Sequence, residues 1–294
     1  MAVIRKKTVG TKPYYYLEHT FRLDGKVLKK EKYIGTVLPK NINELKRKFL
    51  EEFYHERWHS KLDAIRQNYK KDSKLMPPSS VQEELKKFVI RFTYDTQKIE
   101  GSKLTLRETA NLLERGVTPK DKPVADVKEA EAHNTLFLKM FATDKELTLA
   151  LVLDWHRQLL KDTKSDIAGR LREHQVAISG SKFMPPAPVE VYPMITEFFK
   201  WYSKNRKKVH PVELAALVHL KFVTIHPFGD GNGRMSRLMM NFVLKKFGFP
   251  MLNVPYEGRN SYYTALERSQ TKNVDEIFVQ WFIKKYLKEY QKLI

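Results

Sequence analysis

The chain has 294 residues, of which 42% are hydrophobic and 12% aromatic, enough apolar material for one large folded core and a smaller appendage. It has no cysteine, which excludes disulfide frameworks, thiolate nucleophiles, thiol redox chemistry and cysteine-ligated zinc. Its formal charge of +20 favours an anionic partner: nucleic acid, an anionic nucleotide or an acidic protein.

The N-terminal quarter of the chain carries half of this charge. Residues 1–80 hold 19 Lys and Arg against 9 Asp and Glu. Residues 14–34 are rich in Tyr, Val, Phe and Thr around Asp24-Gly25, a dipeptide suited to a tight hairpin turn, and this pattern predicts a β-hairpin.

A helix is predicted after the hairpin, over residues 41–71, from apolar residues at helical spacing. These residues are Leu45, Phe49, Phe53 and Leu62. The stretch 72–80 is rich in residues that break regular structure and is the predicted linker. The chain therefore divides into a basic hairpin-and-helix domain over residues 1–75 and a second domain over residues 81–294.

The second domain is predicted to be mainly α, with its core at about residues 125–250. Helical segments follow one another, punctuated by Pro and Gly. Residues 175–186 are the exception, because they read as a short strand, a Ser-Gly turn and a Pro-Pro stop, and so predict a small exposed hairpin. No apolar run is long enough to cross a bilayer and no apolar signal region follows the N-terminal charges. We therefore expect a soluble cytoplasmic protein with no membrane partner.

Twelve residues between two predicted helices hold the densest chemistry of the chain. They read His226-Pro-Phe-Gly-Asp-Gly-Asn-Gly-Arg234-Met-Ser-Arg237. Pro211 and Gly248 are placed to begin the helix before this segment and to end the helix after it. Glycines let the backbone approach a ligand closely, and the amides of a helix N-terminus bind anions. Arg234 and Arg237 share one face of the second helix, where they could hold phosphate oxygens.

Two further side chains of this segment supply an acid and a base. Asp230 offers a hard oxygen ligand for Mg²⁺. His226 titrates near neutrality and suits a general base for an attacking hydroxyl. The glycine spacing is not a dinucleotide fingerprint, no Gly-Lys-Ser/Thr follows as in a P-loop, and Met235 and Asn241 stand where a calcium loop needs Gly and Glu. The residues therefore favour phosphate chemistry of another kind.

The segment resembles the motif of the Fic family, His-Pro-Phe-x-Asp/Glu-Gly-Asn-Gly-Arg-x-x-Arg, and every specified position is met. The resemblance covers about residues 85–290, including Ala168-Gly-Arg-Leu-Arg172, the hairpin at 176–186 and Ser261-Tyr-Tyr-Thr-Ala-Leu266. It implies a helical Fic core with a small β-hairpin flap, here preceded by the separate N-terminal domain.

The activity that the resemblance implies is transfer of AMP from ATP to a Tyr, Thr or Ser hydroxyl of a target protein, with Mg²⁺ or Mn²⁺. His226 would deprotonate the hydroxyl and Asp230 would hold the metal. The flap would align the target by adding it as a strand. The implied nucleotide-binding residues are Gly231, Asn232, Gly233, Arg234, Arg237, Ser179, Gly180, Tyr262 and Tyr263. Either tyrosine reads equally well as a core aromatic, and self-modification and a homodimer stay open.

A second string resembles the family's inhibitory motif, Ser/Thr-x-x-x-Glu-Gly/Asn. It reads Thr96-Gln-Lys-Ile-Glu100-Gly101 and precedes the core in the same chain. A pair between Glu100 and Arg237 would occupy the charge that the γ-phosphate of ATP needs. The resemblance therefore implies an autoinhibited enzyme.

Three alternatives accompany this interpretation. His55-Glu-Arg-Trp-His59 matches the H-E-x-x-H zinc pattern, but Arg57 lies between the two ligands, and a solvated helix is the favoured interpretation. Nucleic acid could bind through residues 1–80, where tyrosines accompany the basic charge. Other Fic chemistry, namely AMP removal, phosphocholine transfer or kinase-like phosphotransfer, also stays open. Gly233-Arg234, in place of the Lys-Arg of the kinase-like branch, favours AMP transfer.

Overall fold

A computed structural model describes residues 2–23 and 26–294. The chain separates into two compact units, Met1–Ala64 and Ile65–Ile294. The first combines a small sheet with helix, and the second is helical.

The N-terminal unit contains a three-stranded antiparallel sheet in the order β1 (Ala2–Val9), β2 (Lys12–Leu23), β3 (Lys26–Gly35). The predicted hairpin corresponds to β2 and β3, while its turn, Asp24-Gly25, lies outside the described residues. Strand β1 adds to the prediction, pairing with β2 in the register Ala2↔His19 to Val9↔Lys12. Its central residues are charged and exposed, so it lacks the apolar alternation by which a strand is recognised in sequence.

Helix α1 (Ile42–Tyr54) supplies the apolar core of this unit. The Phe53 ring lies 4.7 Å from the His19 ring and 4.8 Å from the Phe21 ring, both on β2. A π-helical turn, His55–His59, then leads into α2 (Ser60–Leu75). Within this turn Trp58 stacks on Tyr54 at 4.9 Å, and the side chain of His55 lies outside the described residues. Across the described part of the chain, no group of three or more potential metal ligands occurs.

The stretch predicted as a linker, 72–80, is mostly helical. Helix α2 continues to Leu75, and α3 (Pro78–Ile99) begins three residues later. Lys, Asp and Ser at 71–74 tolerate a helix, whereas Pro77 disfavours helical backbone at the residue before it. The break is therefore confined to Met76 and Pro77.

The helical unit is built around a buried pair of helices, α8 (Pro211–Ile225) and α9 (Asn232–Lys246). Pro211 is the first residue of α8, as predicted, and Gly248 adopts the left-handed conformation just beyond α9, with φ of 74°. The surrounding helices are α3, α4 (Leu106–Arg115), α5 (Val124–Ala142), α6 (Leu149–Leu160), α7 (Pro188–Asn205), α10 (Arg259–Lys272) and α11 (Asp275–Glu289). This arrangement fixes the loop between α8 and α9, residues 226–231, inside the unit.

The segment predicted as a flap hairpin contains its turn but no strand. Gly180 has φ of 73°, which suits the predicted Ser-Gly turn, and no strand is assigned over 171–187. Two features prevent a ladder between the arms. Pro185 and Pro186 lack N–H groups, and their carbonyls accept hydrogen bonds from the side chains of Gln175 and Arg172.

Within the described ranges, no helix is both long and apolar enough to span a bilayer.

Candidate active site

His226 follows the last residue of α8 in a strained, left-handed conformation. Its φ of 51° and ψ of 57° are left-handed, a region that non-glycine residues enter at a cost. Its Nδ1 lies 3.2 Å from the carbonyl oxygen of Val223, and because a carbonyl only accepts, Nδ1 carries the proton. Burial lowers the pKa of His226, and nearby Arg172 lowers it further. At neutral pH the ring is therefore neutral, with a lone pair on Nε2.

The start of α9 is a set of free backbone donors. Gly231 precedes it with φ of 78°, which favours glycine, and the first helical bond is from the Met235 N–H to the Gly231 carbonyl, at 2.9 Å. The N–H groups of Asn232, Gly233 and Arg234 consequently lack helical acceptors. Such a helix start attracts anions.

The Asn232 side chain closes the loop. Its Oδ1 accepts from the Phe228 N–H and its Nδ2 donates to the Phe228 carbonyl, both at 2.9 Å. Because both ends of the side-chain amide are occupied, any contribution of Asn232 to anion binding would come from its backbone N–H.

Asp230 lies between two cations. Its Oδ1 accepts from the Gly231 N–H at 2.5 Å and is 3.3 Å from a terminal nitrogen of Arg234, while Oδ2 accepts from Lys164. Burial would raise the pKa of Asp230, but Arg234 and Lys164 lower it to about 2. The carboxylate is ionised at neutral pH and already bonds a cation, so its chemistry fits a divalent metal ion.

Both arginines of the motif are buried and bonded to carboxylates. Arg234, 2% exposed, pairs with Glu129 on α5 and with Asp230. Arg237, 1% exposed, donates at 2.6 Å to Glu100, which follows the last residue of α3. Each guanidinium is therefore held in one orientation at the start of α9.

Arg237 is fixed by more than Glu100. Its Nε donates to the Thr96 hydroxyl at 2.7 Å, and a terminal nitrogen lies 3.2 Å from the Thr96 carbonyl. The other terminal nitrogen is 3.3 Å from the hydroxyl of Tyr262. The first and fifth residues of the inhibitory-type string thus both bind the same arginine.

Glu100 also covers the start of α9. A Cβ added at Gly233 would collide with the Glu100 carboxylate. The carboxylate therefore lies against Gly233, in the first turn of α9.

The two tyrosines on α10 differ in exposure. Tyr262 is 2% exposed and hydrogen-bonds His219 at 2.9 Å as well as Arg237. Tyr263 is 43% exposed, and its hydroxyl donates to the Ile99 carbonyl. Tyr262 is thus a buried hydrogen-bond partner of Arg237, while the partly exposed ring of Tyr263 lies beside Glu100.

Ser179 and Gly180 lie at the exposed tip of the 171–187 loop. The loop is tied to α10 by the Lys182 N–H, which donates to Glu267 at 3.1 Å. The structure does not bond the tip to the motif segment through any described residue.

Sequence reasoning gave no role to His156, on α6. Its Nδ1 accepts from the Gly169 N–H at 2.9 Å, so Nε2 carries the proton and donates to the Asp230 carbonyl at 3.0 Å. Its ring stacks on Phe228 with centroids 3.7 Å apart. Burial lowers the pKa of His156 to about 4, so the neutral ring holds the loop at neutral pH.

Arg172 was noticed only as part of a family-like string. It is 4% exposed and its guanidinium donates to three carbonyls: His226 at 2.7 Å, His174 at 3.1 Å and Pro186 at 2.6 Å. One side chain therefore ties both arms of the 171–187 loop to the backbone of His226.

The fold and the site together define a helical domain in which the free amides of a helix start lie near a neutral histidine. Residues 146–244 match the family model described as the Fic/DOC family. The chain carries a Fic domain.

Curated relatives support this assignment. A protein named protein adenylyltransferase Fic from Nematostella vectensis is 33% identical over 190 residues, 63% of this chain and 44% of the relative. Protein adenylyltransferase fic-1 from Caenorhabditis briggsae is 33% identical over 181 residues, 60% of this chain and 35% of the relative. The matched part of the chain thus spans less than half the length of either relative.

Solved structures share the fold. A Fic domain containing signaling protein from Bacteroides thetaiotaomicron aligns with a TM-score of 0.70 and 27% identity, over 78% of this chain and 95% of that one. A Fic-1 fragment from C. elegans aligns with a TM-score of 0.69 over 87% of this chain and 77% of that one, at 24% identity.

Proposed function

We propose that the chain transfers AMP from ATP to a hydroxyl group of a protein and that Glu100 inhibits its resting state. The observation that carries the proposal is the contact of Glu100 with Arg237 and over Gly233, at the helix start beside His226. The names of the curated relatives, protein adenylyltransferase, support the activity.

His226 would act as the base in this reaction. Its Nε2 accepts the hydroxyl proton while the hydroxyl oxygen bonds to the α-phosphorus of ATP. The bond from the α-phosphorus to the bridging oxygen breaks, and pyrophosphate leaves with the electron pair. Reactions of this type depend mainly on positioning and charge neutralisation, which the amides of α9, Arg234 and Arg237 would supply. A divalent cation at Asp230 would neutralise further phosphate charge.

One unsatisfied donor supports a phosphate ligand. The Arg234 Nε–H is buried and has no hydrogen-bond partner among the described residues. Buried donors of this kind are uncommon in folded proteins. A phosphate oxygen at the start of α9 would satisfy it.

Inhibition would follow from competition for the same groups. The Glu100 carboxylate takes one donor of Arg237 and lies against Gly233 in the first turn of α9. A triphosphate would meet both a like charge and an occupied donor. Removing the carboxylate should therefore open the site while His226 stays in place.

Labelled ATP tests the reaction. The E100G variant should incorporate label from α-³²P-ATP into itself or into an added protein, and should take none from γ-³²P-ATP. The rate of labelling should be about 10² to 10⁴ times lower in the E100G/H226A double variant, because a general base accelerates such a reaction by that factor. Incorporation of γ label would show phosphotransfer instead, and equal labelling with and without His226 would refute the base.

The target protein, self-modification, a homodimer and a cytoplasmic location remain proposals. Intact-mass measurement of E100G after incubation with ATP reports self-modification. Peptide mapping would then distinguish Tyr, Thr and Ser acceptors.

Nucleic-acid binding by the N-terminal unit is a second candidate, favoured by one observation. Tyr14, Tyr16 and Tyr33 form a row on the sheet, with Tyr33 5.3 Å from Tyr16 and 6.2 Å from Tyr14, and exposed aromatic rings can stack on bases. Against it, Lys7 already pairs with Glu31 on the same sheet. The anisotropy of a labelled single-stranded oligonucleotide, measured at two salt concentrations, tests this candidate. If bases stack on these rings, Y33A should weaken the binding.

A further inference from the structure

Lys164 contacts the oxygen of Asp230 that a metal ion would need. Oδ1 is engaged by the Gly231 N–H and approached by Arg234. Among the described residues, Oδ2 accepts a hydrogen bond from Lys164. The ammonium group therefore stands where a divalent cation would bind this carboxylate.

The contact is built into the turn that follows α6. The Lys164 N–H donates to the Leu160 carbonyl at 2.8 Å, and the Lys164 carbonyl accepts from the Ala168 N–H at 3.1 Å. The backbone is thus held on both sides, which aims the side chain at Asp230. Because that side chain is 43% exposed, it can leave the carboxylate without crossing a packed core.

A second carboxylate offers the displaced ammonium another partner. Glu129 Oε1 lies 3.8 Å from Lys164 Nζ and also accepts from the Thr163 hydroxyl at 3.1 Å. A small rotation of the lysine would exchange Asp230 for Glu129. The exchange keeps the ammonium beside a carboxylate.

We propose that Lys164 is a placeholder for the divalent cation at Asp230 and that metal binding requires it to move away. The proposal rests on the proposed function only in taking Asp230 as the metal ligand. Lys164 and Arg234 already bring two positive charges to the site, so a divalent ion entering beside both would be repelled. Cation affinity should therefore be weak until the lysine leaves.

The test is direct binding of Mn²⁺ to the full chain without nucleotide, followed by the loss of the free-ion EPR signal. K164M removes the ammonium and keeps the length of the side chain. K164R keeps a cation at Asp230. K161M is the matched control, because Lys161 is an exposed lysine of the same turn and its loss changes the net charge equally. D230N defines the binding that depends on this carboxylate.

K164M should raise the Asp230-dependent affinity for Mn²⁺ at least fivefold, while K164R and K161M should stay within twofold of the parent. A fivefold change corresponds to about 1 kcal/mol, within the range measured for partly exposed ion pairs. Equal gains in K164M and K161M would show a general effect of charge and overturn the proposal. Binding by K164M that D230N does not reduce would also overturn it, and with it the metal assignment of Asp230, whereas AMP transfer by E100G is measured separately.

Discussion

The N-terminal unit and the helical unit both carry many cations but hold them differently. On the sheet, Lys7 and Lys32 pair with glutamates while about half of each lysine side chain stays exposed. In the helical unit, Arg234 and Arg237 are almost fully buried and bonded to carboxylates. A buried guanidinium with fixed partners is preorganised for an anion, whereas an exposed lysine is mobile and screened. A net charge of +20 therefore does not locate the site, but burial of two arginines does.

The largest difference should appear in stability. Arg234→Met leaves Glu129 and Asp230 near a vacated site, and removing one partner of a buried pair typically costs about 3 to 5 kcal/mol. Lys32→Met breaks an exposed pair and should change the free energy of unfolding by less than about 0.5 kcal/mol. Urea denaturation followed by circular dichroism compares the two. Similar losses in both variants would contradict the contrast between the units.

Arg172 should act on the rate and leave nucleotide binding unchanged. In the E100G background, Arg172→Met removes three hydrogen bonds that hold the backbone of His226 and the 171–187 loop. A misplaced base can cost about a hundredfold in rate, so kcat for AMP transfer should fall by about that factor. KM for ATP should be unchanged, because the start of α9 does not contact Arg172. A rise in KM with unchanged kcat would argue against a positioning role.

Acid should weaken the helical unit through its buried histidines. Burial lowers the pKa of His133 to about 3 and that of His156 to about 4. Both values lie below the 6.5 of an unfolded histidine, so the stabilisation is complete above that pH and is lost as the pH falls. From pH 6.5 to 5.5 these two histidines should together lower the free energy of unfolding by about 2 kcal/mol, and His219, whose pKa burial also lowers, should add to the loss.

The same urea measurement at the two pH values checks this loss. Asp230 is a useful contrast, because its pKa is lowered from 3.8 to about 2. Its contribution to the free energy of unfolding is complete above pH 3.8 and is lost only as the pH falls from there towards 2. A constant free energy between pH 6.5 and 5.5 would mean that the histidines are not neutral in the folded state.

The smallest expected effect concerns the sheet. Lys7→Met removes an exposed pair with Glu31 and should leave AMP transfer by E100G within about twofold, since exposed pairs contribute little to stability. A large loss would mean that the N-terminal unit takes part in the reaction.

The elements best predicted from sequence were those marked by local chemistry. Pro211 and Gly248 bound the central helices. The contact of Glu100 with Arg237 was expected only because the string from Thr96 to Gly101 resembles the inhibitory motif of the Fic family. The contacts that the sequence did not predict join residues that are far apart along the chain. Glu129 and Lys164 lie far along the chain from the segment that they contact, and no spacing rule connects them to it.

The 171–187 loop, predicted as a flap hairpin, shows a different limit of prediction from sequence. Residues 175–186 were predicted to hold a short strand before a Ser-Gly turn, but the structure has no strand there, because two prolines lack donors and side chains of Arg172 and Gln175 take their carbonyls. A strand-like pattern in the sequence cannot indicate whether a second strand is available to pair with it. In the same way, the charged strand β1 was missed because its pairing, not its apolar pattern, makes it a strand.

The most direct test of the account is the intact mass of three proteins after incubation with ATP and Mg²⁺. The parent should gain little mass, E100G should gain one or more AMP groups, and E83G should behave as the parent, because Glu83 is on the same helix and pairs only with solvent-exposed Lys87 among the ion pairs described. Equal modification of all three would contradict inhibition by Glu100, as would the absence of AMP both from E100G and from a protein incubated with it.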